Sequence, residues 1–261
     1  MDRLAAALLG AGMCATVALP RPAAAQKLLL KLRPPNGEAI KYRDHFESWI
    51  SIGSEVAHEP ALEIEIWRTE TATARHDTTT FISIVDSAHA VARWEGAPPE
   101  FGQQAQMMRG TRETTLLTAQ GREISYSVRG VSIDDVWAML FGGRAGKQQT
   151  VREWRTVPED SVSRGDTWDD SLHIQADSLT WLGRVQYRLR GIEQKHGEFV
   201  GRVSGSGSIA APGHPPVHLS SETVVDAESG RLVSAQVSQE GGIGKEISID
   251  IRDRWRTDRI Q

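Results

Sequence analysis

The chain has 261 residues, 39% of them hydrophobic, and a formal net charge of −4 from 30 Lys and Arg against 34 Asp and Glu. A weak acidic balance with the two signs interspersed gives no electrostatic footprint for nucleic acid or an anionic membrane surface. The single cysteine, Cys14, lies near the N-terminus, so no disulfide, thiol nucleophile or thiolate metal site is expected in the rest of the chain.

Residues 1–25 read as a secretory signal, with a basic start at Arg3, an apolar run over 4–19, then Pro20 and the small residues Ala23, Ala24 and Ala25 ahead of Gln26. Met13 stands before Cys14, where a lipid-modified cysteine normally follows a small residue, so cleavage near Ala25 is the expectation rather than lipidation. No later stretch is long and apolar enough to span a bilayer. A soluble periplasmic or secreted product of residues 26–261, forming a single β-rich domain, is therefore expected.

In chain order, residues 27–33 suggest a strand that ends at the turn Pro34-Pro35-Asn36-Gly37. Residues 38–52 alternate only in part, but their aromatic and β-branched content favours a strand. Leu62, Ile64 and Ile66 alternate cleanly with Glu63, Glu65 and Trp67, the pattern of a sheet with one buried and one wet face. A turn at His76-Asp77 should return the chain antiparallel through residues 81–85. Residues 88–108 support either a short helix around 103–108 or a loop closed by Pro98-Pro99. Strands are expected again over 111–117 and 123–128, about a turn at Gln120-Gly121.

A helix is predicted over 132–143. Ser132 and Asp135 form a capping box, and Asp134 and Asp135 lie where the helix dipole favours negative charge. Ile133, Val136, Trp137 and Leu140 share one face, and Gly142 and Gly143 supply a left-handed stop. Beyond it, residues 150–156, 172–174, 185–192, 199–203, 217–225, 232–237 and 247–251 are strand-like, with turns at 195–197, 212–213 and 228–230.

The halves share small motifs. Glu113-Thr114 and Gly121-Arg122 recur as Glu222-Thr223 and Gly230-Arg231 at the same offsets. Two pseudo-repeats, about 27–130 and 150–256, are therefore expected, linked by the helix lying on the sheet face with Trp137 and Leu140 as anchors. The fold class is mainly β: a large curved antiparallel sheet, half-barrel or pseudo-duplicated meander, with one central amphipathic helix.

Four stretches carry a resemblance: PPNGEAIKY (34–42), MRGTRETTLLTAQGRE (108–123), VPEDSVSRGDTW (157–168) and ETVVDAESGRL (222–232). Together they resemble a group of exported bacterial β-rich proteins known only as a domain of unknown function, in which Pro, Val and Gly-Asp-x-Trp open the second half. The resemblance implies export and a β fold, and brings no activity, cofactor or catalytic residue with it.

Candidates for chemistry each have a simpler reading. His214 and His218 flank Pro215-Pro216, and extended chain would hold them apart rather than as a chelating pair. Asp166, Asp169 and Asp170 lack the alternating oxygens and closing glutamate of a calcium loop. The SGSGS run at 204–208 lacks a nucleophile-elbow context and reads as a glycine-weakened strand or bulge. Glu63 and Glu65 read as a wet face rather than a glycosidase pair. The 8 tryptophans outnumber the 5 phenylalanines and 3 tyrosines, and either pack the core and sheet edges or line a groove. In the second case Trp67, Trp137, Leu140 and Trp154 would hold an apolar or amphiphilic ligand in the sheet concavity. A curved sheet that fails to close is also how periplasmic lipoprotein carriers are built, a likeness at the level of fold alone. The expected function is noncatalytic binding of a lipid or similar amphiphile, with no cofactor, no metal and no nucleic-acid partner. The alternative is an envelope protein-interaction module whose helix fills the concavity.

Overall fold

The computed structural model describes residues 30, 32, 34–53, 56–94, 97, 100–132, 135, 157–158, 160–176, 179–195, 197–243 and 249–260. Residues 1–25, most of the 27–33 and 132–143 stretches and residues 150–156, where a signal, a strand, a helix and a strand are expected, lie outside the described residues. Eleven strands form one sheet: β1 (Ala39–Ile52), β2 (Leu62–Arg75), β3 (Thr78–Ala92), β4 (Arg112–Thr118), β5 (Glu123–Arg129), β6 (Thr167–Ala176), β7 (Leu179–Lys195), β8 (Glu198–Ala210), β9 (Val217–Asp226), β10 (Leu232–Ile243) and β11 (Ile249–Ile260). A short helix, α1 (Phe101–Gln106), stands between β3 and β4.

The strand order is β5-β4-β3-β2-β1-β11-β10-β9-β8-β7-β6, and every ladder is antiparallel. The mainly β, large antiparallel sheet expected from the sequence is what the chain forms. Consecutive strands are neighbours except at two places: β1 joins β11 at the centre, and β5 and β6 stand at the two edges.

One face carries the core. On β1 it presents Tyr42, Asp44, Phe46 and Ser48, and on β2 Leu62, Ile64, Ile66 and Arg68, all buried. The registers Phe46↔Trp255, Phe46↔Ile64 and Trp255↔Val237 carry that face across the centre of the sheet. Each fully buried Leu, Ile or Phe contributes roughly 1.5–3 kcal/mol, so this face supplies much of the driving force. Phe101, Ala105 and Met108 join Phe46, Leu62, Ile64 and Trp255 in one cluster. Small residues let α1 come close: a Cβ on Gly102 would stand 3.4 Å from the Ala90 carbonyl oxygen, and Ala88 and Ala90 are buried beneath.

A second cluster gathers Val185, Tyr187, Leu189, Val203, Leu219 and Val225 from β7 to β9 with Leu30, Val157 and Val162. Gly205 lies opposite Tyr187 and Ser221 on the core face, and a Cβ there would stand 2.8 Å from the Tyr187 ring and 2.4 Å from Ser221 Oγ. The ring covers the glycine, a common device where a curved strand gives up a side chain. The SGSGS run is thus an uninterrupted part of β8 whose glycines admit curvature, rather than a bulge.

The hairpin turns expected at 76–77, 120–121 and 228–230 are present, and β7 and β8 pair up to Lys195↔Glu198 about the one expected at 195–197. The shared Gly-Arg motif has a shared geometry: Gly121 and Gly230 both adopt positive φ, 78° and 68°. Val157 N–H donates to the Gln120 carbonyl at 2.9 Å, and the Val157 side chain belongs to the second cluster. Val157 therefore ties the β4–β5 turn to the β7–β9 core. The capping box is also formed: Asp135 Oδ2 accepts from Ser132 N–H and Oγ–H at 2.7 Å each, and Asp135 N–H donates to Ser132 Oγ at 3.1 Å.

Candidate functional site

The alternation that sends Leu62, Ile64 and Ile66 inward continues on β2 to Arg68 and Glu70, so the same face turns from apolar to ionic halfway along the strand. Arg68 Nε–H donates to Asp44 Oδ2 at 2.7 Å and its terminal nitrogen to Glu70 at 2.9 Å. Thr257 Oγ–H donates to Asp44 Oδ1 at 2.7 Å, and the Trp255 indole N–H donates to Thr257 at 3.1 Å. The guanidinium lies 4.7 Å above the Tyr42 ring, whose hydroxyl donates to the Leu232 carbonyl. Removing such charges from water is costly, and the cost is recovered only through this kind of mutual satisfaction.

Beside this cluster is a cavity of about 80 Å³. At roughly 10–15 Å³ per enclosed water on this measure, it has room for about five to eight water-sized groups. Apolar side chains of Ile66, Phe81, Val85, Met108, Leu117 and Trp255 and polar ones of Asp44, Arg68, Glu70, Ser83, Glu113 and Thr115 line it together. Leu32, Val157 and, from the β9–β10 turn, Gly230, Arg231 and Leu232 also line it. Arg231 is buried and holds the more exposed Glu38, through its carboxylate and its backbone carbonyl, at 2.9 Å each.

A further, half-buried acid stands apart from the cavity lining. Asp253 on β11 pairs with Ser48 and Gln239. Burial pushes its carboxyl up to about 6, against the opposing pull of a hydrogen bond with Ser48. Its Oδ1 is buried without a hydrogen-bond partner. On β7, burial raises the Tyr187 hydroxyl well above its ordinary value, with a smaller push from Asp170.

Of the ligand residues expected from sequence, Trp67 is placed on the opposite, convex face. It pairs with Arg43 and Ser87, one step out of phase with the cavity-lining Ile66 and Arg68, and the Arg43 guanidinium lies 5.9 Å from its ring. It does not line the cavity. Trp137, Leu140 and Trp154 lie outside the described residues. Trp49 is likewise on the convex face, beneath Arg252 and Arg254 at 4.6 and 5.1 Å. Among the described residues, Trp255 is the tryptophan that reaches the cavity, tilted against Phe46 at 5.7 Å.

The other candidates have structural roles. Glu63 forms an ion pair with Arg93 at 2.8 Å, and the hydrogen bond from Arg93 lowers its pKa. Glu65 is paired with Arg43. Asp166 accepts from Ser163 N–H at 2.8 Å within a turn, and His214 packs on Trp181 at 5.5 Å. Among the described residues no group of three His, Cys, Asp or Glu is placed to hold a metal ion. No described helix is long and apolar enough to cross a membrane.

No family model matches the sequence, and no curated protein does. Among solved structures, the chain is similar to a lipovitellin chain described for its lipid–protein interactions, with 11% identity and a TM-score of 0.47 over 87% of this chain. It spans 25% of that chain's length. It also matches DynF from the dynemicin biosynthesis pathway of Micromonospora chersina, with 8% identity and a TM-score of 0.24, over 90% of this chain and 86% of that one.

Proposed function

We propose that this protein is a noncatalytic binder that holds a small apolar or amphiphilic ligand in the sheet concavity, and that it works in the periplasm or outside the cell after cleavage near Ala25. The observation that carries the reading is the cavity of mixed lining, in which Ile66, Val85 and Trp255 stand beside the fixed ionic group of Asp44, Arg68 and Glu70. Ligand sites are typically concave and largely apolar, with a few fixed polar groups that set orientation. Asp44, Arg68 and Glu70 hold one another in place, an arrangement suited to positioning a ligand. Export rests on the composition of residues 1–25.

The test is mass spectrometry of organic extracts from gently purified protein, beside a Val85→Phe variant that places a ring in the cavity. A small molecule recovered near one per chain from the wild type, and lost from a variant of unchanged urea midpoint, is the expected result. A clean wild-type extract, together with no uptake of added short-chain amphiphiles, would overturn the binder in favour of a protein-interaction module.

A further inference from the structure

Among the described residues, five side chains carry a buried polar atom with no hydrogen-bond partner: His45, Gln104, Thr223, Arg231 and Asp253. Of these five, Arg231 alone lines the cavity. The atom concerned is Nε, whose N–H can only donate.

The β9–β10 turn puts it there and holds it still. Gly230, at a positive φ of 68°, leads the chain into Arg231, whose carbonyl accepts from Asp226 N–H at 2.8 Å. The side chain is 3% exposed, and its two terminal nitrogens donate to the carboxylate and the backbone carbonyl of Glu38 at 2.9 Å each. Two bonds to one residue fix the guanidinium plane, so the direction of the Nε–H is set before any ligand arrives. The Glu38 carboxylate meets the charge of Arg231, and what is left unmet is one directional donor. Leaving a buried donor of a charged group unpaired is costly, and a bond from such a group is roughly twice as strong as one between neutral groups. A ligand oxygen therefore gains most at this nitrogen. Val225 and Leu232, paired across β9 and β10, also line the cavity and supply apolar surface.

We propose that Arg231 reads the head group of the cavity's ligand: its Nε–H donates to the oxygen of a carbonyl or carboxylate on a short-chain amphiphile. This rests on the ligand-binding reading above and specifies its ligand class. The cavity's capacity of about five to eight water-sized groups sets the ligand at about that many non-hydrogen atoms.

The experiment uses the full chain with isotope-labelled arginine and three probes of one shape: hexan-2-one, pentanoate, and 2-methylhex-1-ene, in which a methylene replaces the ketone oxygen. Affinities are read by ligand-observed NMR in the wild type and in Arg231→Met, whose side chain ends at about the position of Nε and carries no N–H. At least one oxygen probe is expected to weaken about tenfold or more in the variant, the loss of one charge-assisted bond, while the alkene changes less than about twofold. In the wild type that same probe should move the Arg231 Nε–H proton resonance downfield, and the alkene should leave it in place. A larger loss for pentanoate names a carboxylate as the head, and a larger loss for hexan-2-one names a neutral carbonyl. If Arg231→Met does not fold, the wild-type Nε–H resonance decides by itself. Oxygen probes that bind without moving that resonance, or that weaken no more than the alkene in the variant, overturn the proposal and leave the binder reading standing. If no probe binds, the binder reading fails and this proposal falls with it.

Discussion

Replacing Asp253 by asparagine should stabilise the protein at neutral pH and do so in a pH-dependent way. The carboxyl is raised from its ordinary 3.8 to about 6 because burial disfavours its charged form. That rise corresponds to about 3 kcal/mol between the protonation states. The sign follows from linkage: a folded-state value above the unfolded one gives stability that is fully present below about 3.8 and is lost as pH rises through about 6. Above that point the folded wild type carries a charged carboxylate whose Oδ1 has no partner. The Asp253→Asn side chain keeps the size and an acceptor for Ser48 but cannot ionise. Urea denaturation of both proteins from pH 4 to pH 8 should show the gap in stability widening by up to about 3 kcal/mol between pH 4 and 6, then levelling off. Near pH 7.5 that gap corresponds to a rise in Tm of about 6–12 °C for a domain of this size. A gap that stays flat across the range would refute the reasoning and mean that Asp253 is solvated or paired when the protein is folded.

Two further outcomes test the sheet and its ionic centre. Gly207→Ala would set a Cβ 2.1 Å from the Arg184 carbonyl oxygen and 2.8 Å from Val185 Cα. Since these are backbone atoms, the β7–β8 ladder must part, and a loss above about 3 kcal/mol is expected by urea denaturation, against a change within about 0.5 kcal/mol for Gly191→Ala, where nothing lies within 4 Å. Arg68→Met leaves Asp44 and Glu70 buried without their guanidinium and should cost about 3–5 kcal/mol, a loss partly recovered when Asp44→Asn is added. Equal stability of the single and double variants would show that Arg68 does not compensate Asp44.

The strands are legible in the sequence where one face is apolar. Leu62, Ile64 and Ile66 disclose the buried face of β2, and the turn residues mark the hairpins about them. The ionic part of the cavity lining is legible in principle from the same alternation, since two-residue steps from Ile66 lead to Arg68 and Glu70. Polarity breaks the apolar pattern there, and an inward charge has no local signature when its partner, Asp44, stands on another strand. The far end of β11 escapes notice for a related reason: Arg252, Arg254 and Arg256 mask an inward row of Asp253, Trp255 and Thr257. Trp67 reads as a groove residue on the strength of its apolar body, yet a ring can be satisfied on an outer face beneath a guanidinium, as Arg43 satisfies it. Helix α1 is one of two readings of its stretch, because six residues are too few to establish a period. The pairing of β1 with β11 has no trace in any local window.

That pairing bears on how the chain reaches its native state. Lys41 meets Ile260 and Ile52 meets Ile249, so the central ladder joins segments about 200 residues apart. During synthesis the β1–β5 hairpins can zip locally, but the open side of β1 must wait until β11 has been made. The entropy of closing so long a loop exceeds that of a ten-residue loop by only about 2–3 kcal/mol, so the delay is kinetic more than thermodynamic. While it lasts, two long strand edges are exposed to other copies of the chain, the usual route to aggregation. Arg43 and Glu47 on β1, and Arg252, Arg254, Arg256 and Asp258 on β11, are charged along these edges. The charges that hide β11 in the sequence thus act as gatekeepers, keeping each half-sheet in solution until the other arrives.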